Sequence, residues 1–247
     1  MRIFSILITA LLMINNTYAA RVAIVIDDIG YRTTDHEVLD LPGNLTLSIL
    51  PHTPFGKRLA ILAHEEHHDV LLHIPMEAEN GKKLGPGALT HDMNEAKIRA
   101  SLANSFAEIP FAIGINNHMG SLLTQLYKPM SWTMRFLKER NVLFLDSKTS
   151  RHSKAAKIAN SYAVPTLNRT IFLDNVLTEP YIRQQFEKLI AKAKQNKTAI
   201  AIAHPHPETI AALAELLPLL KQQNVQLVPI SALLAHHHAT SVTAISD

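Results

Sequence analysis

The 247-residue sequence contains no cysteine, which excludes a disulfide framework, a thiolate metal site and a cysteine nucleophile. Any metal must be held by histidine and carboxylate side chains. An excess of one charge is lacking too. The formal net charge is +3, and basic residues lie scattered among acidic ones, so nucleic acid is not an expected partner. Aromatic residues make up 6%, and Trp132, on an expected helix, reads as core rather than as a platform for an extended glycan. Long apolar runs are scarce. The one near the start, Ile3 to Ile14 after Arg2, is too short and too poorly flanked to span a membrane and reads as a signal peptide. Thr17-Tyr18-Ala19 suits cleavage after Ala19, so residues 1–19 are expected to be removed, leaving a periplasmic or secreted protein with no membrane span. An uncleaved anchor is the alternative.

Hydrophobic residues make up 47% of the chain, enough for one large domain, expected over 20–234, to bury a full core. The last residues, 235–247, with His236, His237 and His238, read as a disordered tail. Between these limits short apolar runs alternate with helix-period segments, the pattern of βα units around a parallel sheet. The expected strands are Val22–Ile26, Leu45–Leu50, Val70–Ile74, Ala112–Ile115, Val142–Leu145, Ile171–Leu173, Ala199–Ala203 and Gln226–Pro229. Their consecutive apolar residues suit strands buried on both faces. Asp92-Met93-Asn94-Glu95 resembles a capping box ahead of Ile98, Leu102 and Phe106. Pro129, Pro180 and Pro207 suit first helical positions, and Ile182, Phe186, Leu189 and Ile190 form one apolar face. Pro218 is expected to kink or divide its helix. Glu79 to Thr90 is a loop long enough to overhang a site. The fold class is α/β, a (β/α) barrel of seven or eight units, in which ligands bind outside the carboxyl ends of the strands.

Those ends carry the polar residues. Strand one ends in Asp27-Asp28-Ile29-Gly30, strand two in Pro51-His52, strand three in His73-Ile74-Pro75-Met76-Glu77. Strand four ends in Asn116-Asn117-His118-Met119-Gly120-Ser121, strand five in Asp146-Ser147, and the strand at Ala199–Ala203 in His204-Pro205-His206. A turn cap or a hydrogen-bonded core histidine explains any one of them. Converging on one mouth, carboxylate and imidazoles match the three protein ligands and open position of a zinc-type site. Two adjacent aspartates then divide the work, one binding the ion and the other accepting a proton. Gly30 serves either a close backbone approach to a ligand or an ordinary turn.

These segments, in this order, resemble the divergent polysaccharide deacetylases, a branch of the carbohydrate esterase superfamily, across Val22 to Ser231. The resemblance implies a (β/α) barrel and metal-dependent removal of N-acetyl groups from a carbohydrate substrate. It assigns Asp27 as base, Asp28 as metal ligand, and His204 as general acid or third ligand. The superfamily's second motif has two histidines four positions apart, whereas here His73 is followed at that spacing by Glu77. His73 and His118 are therefore the expected remaining ligands of a divalent metal, most simply zinc, with Glu77 as rival. Asp146 either orients His204, contacts substrate or forms a structural pair. Asn116, Asn117 and Ser121 are substrate donors or turn residues, and His52 and His206 are unassigned. Two other readings compete: a catalytically weak barrel that binds envelope glycan or a protein partner, and a glycosidase drawing two carboxylates from Asp27, Asp28, Glu77 and Asp146.

Overall fold

A computed structural model describes residues 20–234. The expected signal peptide at 1–19 and tail at 235–247 lie outside the described residues. Nine strands form one all-parallel sheet: β1 Ala20–Ile29, β2 Thr46–Ile49, β3 Asp69–Met76, β4 Gly114–Met119, β5 Leu143–Asp146, β6 Thr166–Asn168, β7 Ile171–Phe172, β8 Thr198–Ala203 and β9 Val225–Leu227. Seven helices connect them: α1 Gly56–Glu65, α2 Glu95–Glu108, α3 Tyr127–Arg140, α4 Ala155–Ser161, α5 Glu179–Asn196, α6 Pro207–Leu216 and α7 Leu219–Gln222. The strand order is β6-β5-β4-β3-β2-β1-β8-β7, with β9 beside β1.

The two ends of that order, β6 and β7, are separated in sequence by only Arg169 and Thr170. The N–H of Arg169 donates to Asp146 O on the β5 side, and the next one, of Thr170, to Ile200 O on β8. One extended segment thus bridges both edges, so the sheet must curl into a barrel. At the opposite seam β1 pairs with β9 through Ala20–Val22 and with β2 from Val25 onward. The short β9 therefore widens only the amino end. Beyond it Val228, Ile230 and Leu233 join Ala23, Val25, Leu71, Leu145, Ile200 and Ile202 in the cluster that fills the barrel.

The pleat sorts the strand residues. Val22, Ile24 and Ile26 face the helix layer while Ala23 and Val25 face inward, as a period of two requires. The helices cover the outside with the expected faces, Ile98, Leu102 and Phe106 on α2 and Ile182, Phe186, Leu189 and Ile190 on α5. Truncating a fully buried ring such as Phe186 would cost about 3–5 kcal/mol. Pro207 opens α6, Pro180 is the second residue of α5, and Pro218 divides α6 from α7 because it offers no N–H to continue the ladder. Trp132 packs half-buried against the core.

Three expectations are corrected. Pro129 is the third residue of α3, not the first. The capping box does not form as read: Asn94 alone caps α2, accepting from Lys97 N, while Asp92 accepts from the Thr90 hydroxyl. The strand β6 was not foreseen, since three residues with one buried side chain give too short a signal.

Candidate metal centre

The inward positions change character at the carboxyl end of the barrel. Above Val25 comes Asp27, above Leu71 comes His73, and Ser48, Asn116 and Ser147 complete a buried polar layer. A regular pleat would send the next residue, Asp28, outward among the helices. It does not go there. The β1–β2 register shifts between Ile26 and Ile29, so Asp27 and Asp28 together oppose one residue of β2. Asp28 adopts the left-handed region at φ 61°. This bulge turns both carboxylates to the mouth; a strained non-glycine residue at such a place is a common mark of a functional site.

Around Asp28 three ligand atoms converge. Asp28 Oδ1 lies 3.0 Å from His73 Nε2 and 2.7 Å from His118 Nδ1, and the two imidazole nitrogens are 3.2 Å apart. Ligand atoms bound at about 2.0–2.1 Å to a tetrahedral ion lie roughly 3.3 Å from one another, so the separations suit one cation. The donor set agrees. Asp28 Oδ1 is buried with no hydrogen-bond donor satisfying it, and such an atom is expensive unless something positive meets it. Asn116 fixes the tautomer of His73: its Oδ1 accepts from His73 Nδ1 at 2.8 Å and from the Ser48 hydroxyl at 2.6 Å. His73 Nε2 is thereby left with its lone pair facing the group. The same Asn116 donates through Nδ2 to Asp27 Oδ1 at 2.8 Å, and Asp27 Oδ2 stands 3.6 Å from His73 Nε2.

The electrostatics separate the two aspartates. Burial raises the Asp27 pKa, against the opposing pull of His73 and His204. Burial acts on Asp28 in the same sense, but the His118 and His73 imidazoles set against it outweigh burial and hold the Asp28 carboxyl far below the usual range. For His73, burial opposes the charge, yet Asp27 and Asp28 raise its pKa overall. Environment thus divides two like groups, one kept basic and one kept anionic.

His204, at the end of β8, faces this group with Nε2 4.0 Å from Asp28 Oδ2. Its partner is Asp174, just beyond β7, which accepts from His204 Nδ1 at 3.0 Å, from His204 N at 2.6 Å and from the Thr209 hydroxyl at 3.0 Å. Burial disfavours the imidazolium, but Asp174, Asp27 and Asp28 together push the pKa up to about 9.

The structure brings together Asp27, Asp28, His73, His118 and His204, and sends other expected residues elsewhere. Asp146 does not orient His204. Its carboxylate accepts from Lys148 N and the Ser153 hydroxyl, fixing the turn after β5. Glu77 is not a ligand of the group; it accepts from His91 N and the His91 ring. Of the four carboxylates considered for a glycosidase, Glu77 and Asp146 thus have partners of their own, and Asp27 and Asp28 stand at the mouth. Asn117 joins β4 to β5, donating to Met119 O and accepting from Ser147 N. Ser121 anchors the loop after β3, its hydroxyl accepting from Glu79 N. His52 pairs with Glu108, and His206 stands beside the His204 ring at 6.1 Å. Gly30 serves the turn: at φ +133° a Cβ would lie 2.2 Å from Thr53 Oγ1.

Sequence reading missed Asp174, although it directly follows the expected strand Ile171–Leu173. It also missed Arg169, whose guanidinium crosses the seam to Ser147 O and Lys148 O and covers the Phe172 ring at 3.8 Å.

The sequence profile described as divergent polysaccharide deacetylase matches residues 24–234. An uncharacterised protein of Escherichia coli, YibQ, is 37% identical over 199 residues, 80% of this chain and 62% of its own. The chain therefore spans under two thirds of that relative's length. The crystal structure of an uncharacterised protein from Agrobacterium tumefaciens superposes with a TM-score of 0.83 at 28% identity, over 87% of this chain and 89% of that one. More distant neighbours share the fold: a CE4 family pseudoenzyme from Bacillus anthracis, at TM-score 0.54 and 15% identity over 87% and 65% of the two chains, and the peptidoglycan deacetylase PdaC from Bacillus subtilis, at 0.56 and 12% over 95% and 100%.

Proposed function

We propose that this chain, which belongs to the divergent polysaccharide deacetylase family, is a zinc-type metallohydrolase that removes acetyl groups from N-acetylated sugars of an envelope polysaccharide, outside the cytoplasm. The observation that carries the reading is the convergence of Asp28, His73 and His118 on one point beside a second, uncoordinated carboxylate and a third imidazole. A divalent cation held there supplies Lewis acidity, lowering the pKa of water and polarising the acetamide carbonyl.

The chain's own groups do the rest. Asp27, buried and made more basic by that burial, takes the proton as water attacks, while the Asn116 amide keeps its carboxylate aimed. Asp174, accepting from Nδ1–H, stabilises the His204 imidazolium, which therefore carries a second proton on Nε2 and donates it to the departing amine. The breaking bond is carbon to nitrogen; the acetyl group leaves as acetate and the sugar keeps a free amine. No helix among the described residues is long and apolar enough to cross a membrane.

The test is metal analysis of the purified protein without its C-terminal histidines, alongside acetate release from N-acetylated oligosaccharides. One divalent ion per chain, lost in both Asp28→Ala and His73→Ala, with hydrolysis abolished by chelator and restored by zinc, is the expected result. Hydrolysis that persists in fully metal-free protein would overturn the mechanism; stoichiometric metal with no hydrolysis of any acetylated glycan would leave a binding barrel.

A further inference from the structure

The metal group lies at the junction of two open cavities. One, of about 300 Å³, runs beneath the loop at residues 79–90 and is lined by Lys83 and Pro86. The other, of about 220 Å³, is lined by Arg32 and His206. Both share Tyr31, Leu50 and His118, so they form one cleft that crosses the cluster. The first arm is a fixed wall, since Leu89 N donates to Pro75 O and Glu77 N to Leu89 O, which ties the loop to β3.

Each arm is lined by one cation, Lys83 in the first and Arg32 in the second, both exposed. Among the described residues, no carboxylate forms an ion pair with either; the ion pairs of surface arginines lie elsewhere. Two acids also line the second arm, and neither neutralises these cations. Asp28 belongs to the metal group. Asp35 is buried and accepts from the backbone of Gly30 and Arg32, not from the Arg32 side chain. At the junction Tyr31 stands 50% exposed, an aromatic face of the kind on which a pyranose ring packs through its C–H groups.

Resting on the deacetylase reading, we infer that the cleft selects an anionic glycan, in which the N-acetylated sugar at the metal packs on Tyr31 and carboxylates on the sugars to either side reach Lys83 and Arg32. A neutral N-acetylated chain fills the same cleft but leaves both cations without partners. Tyr31 supplies contact area, and the cations supply selection and orientation.

The experiment compares three oligosaccharides of equal length by calorimetry on zinc-loaded protein at low ionic strength: an N-acetylglucosamine chain, one alternating with glucuronate, and one alternating with a lactyl-ether acid. Binding is measured in the wild type and in Asp27→Asn, which lacks the proposed base, so the readout does not depend on turnover. At least one carboxylated chain should bind about tenfold more tightly than the neutral one. That preference should collapse in the Lys83→Gln/Arg32→Gln double variant and on adding salt, while Tyr31→Ala should weaken all three chains alike. The two carboxylated arms tell a ring carboxylate from an ether-linked one. Equal binding of neutral and charged chains, or a preference the double variant leaves intact, overturns the inference even if the protein proves an active deacetylase. Charge-dependent binding without acetate release upholds it and removes the deacetylase reading instead.

Discussion

Asn116→Leu probes the centre most directly, because one fully buried amide holds three partners within 2.8 Å. Leucine fills a similar volume but offers no polar atom, so His73 Nδ1 and the Ser48 hydroxyl lose their acceptor and Asp27 Oδ1 loses its donor. A buried group left unsatisfied costs about 1–3 kcal/mol, more if charged, so three give a loss of about 3–6 kcal/mol after partial relaxation. Against a typical domain stability of about 5–15 kcal/mol, the variant should fold with a clearly lowered denaturant midpoint. His73 also loses the bond that fixes its tautomer, and removal of such a support typically costs about 10–100-fold in metal affinity. Urea unfolding in chelator measures the first effect, and competition against a zinc indicator the second. Asn116→Asp separates them. Its carboxyl still accepts from His73 and Ser48 but meets Asp27 with a like charge, so metal affinity should stay near wild type while hydrolysis falls by about a hundredfold or more. If Asn116→Leu loses less than about 1 kcal/mol and binds zinc as tightly as the wild type, the polar layer is not what organises the site.

Further outcomes follow from the same structure. The His204 pKa is raised from 6.5 to about 9, so in metal-free protein its interactions contribute stability that is fully present below 6.5 and lost as the pH rises through about 9. The stability gap between wild type and His204→Gln, read from denaturant midpoints, should therefore narrow across that window; a gap that widens would reverse the assignment. Asp174→Asn should lower the His204 pKa, read by NMR titration of the metal-free protein, and reduce kcat more than it raises KM. Gly30→Ala combines a positive φ with a Cβ placed 2.2 Å from Thr53 Oγ1 and should cost about 2 kcal/mol or more. Gly81→Ala, at φ +65° with nothing within 4 Å, should cost about 1–2 kcal/mol; thermal melts of the two variants rank them.

Much of this protein was legible as a string. Parallel strands buried on both faces leave consecutive apolar residues, so Val22–Ile26 and Ala199–Ala203 declared themselves, and the polar residues that follow them, Asp27-Asp28 and His204, marked the mouth. Position at the ends of buried strands also singled out His73 and His118, and the resemblance to the deacetylase family implied their role as ligands. Which partner each residue meets was not written there. Asp27 and Asp28 share the mouth only because a bulge against β2 breaks the pleat, and a bulge is a property of two strands, not one. Asp146 and Asp174 both follow a strand, yet only Asp174 reaches His204, because β7 pairs with β8 while β5 pairs with β4 and β6. The sequence determined the periodicities, the barrel class and the stock of ligating residues, since these depend on local burial and residue chemistry. Tertiary structure alone decided the seam bridged at Arg169 and the Asn116 network, since each arises where segments far apart in the chain are brought within a few ångströms.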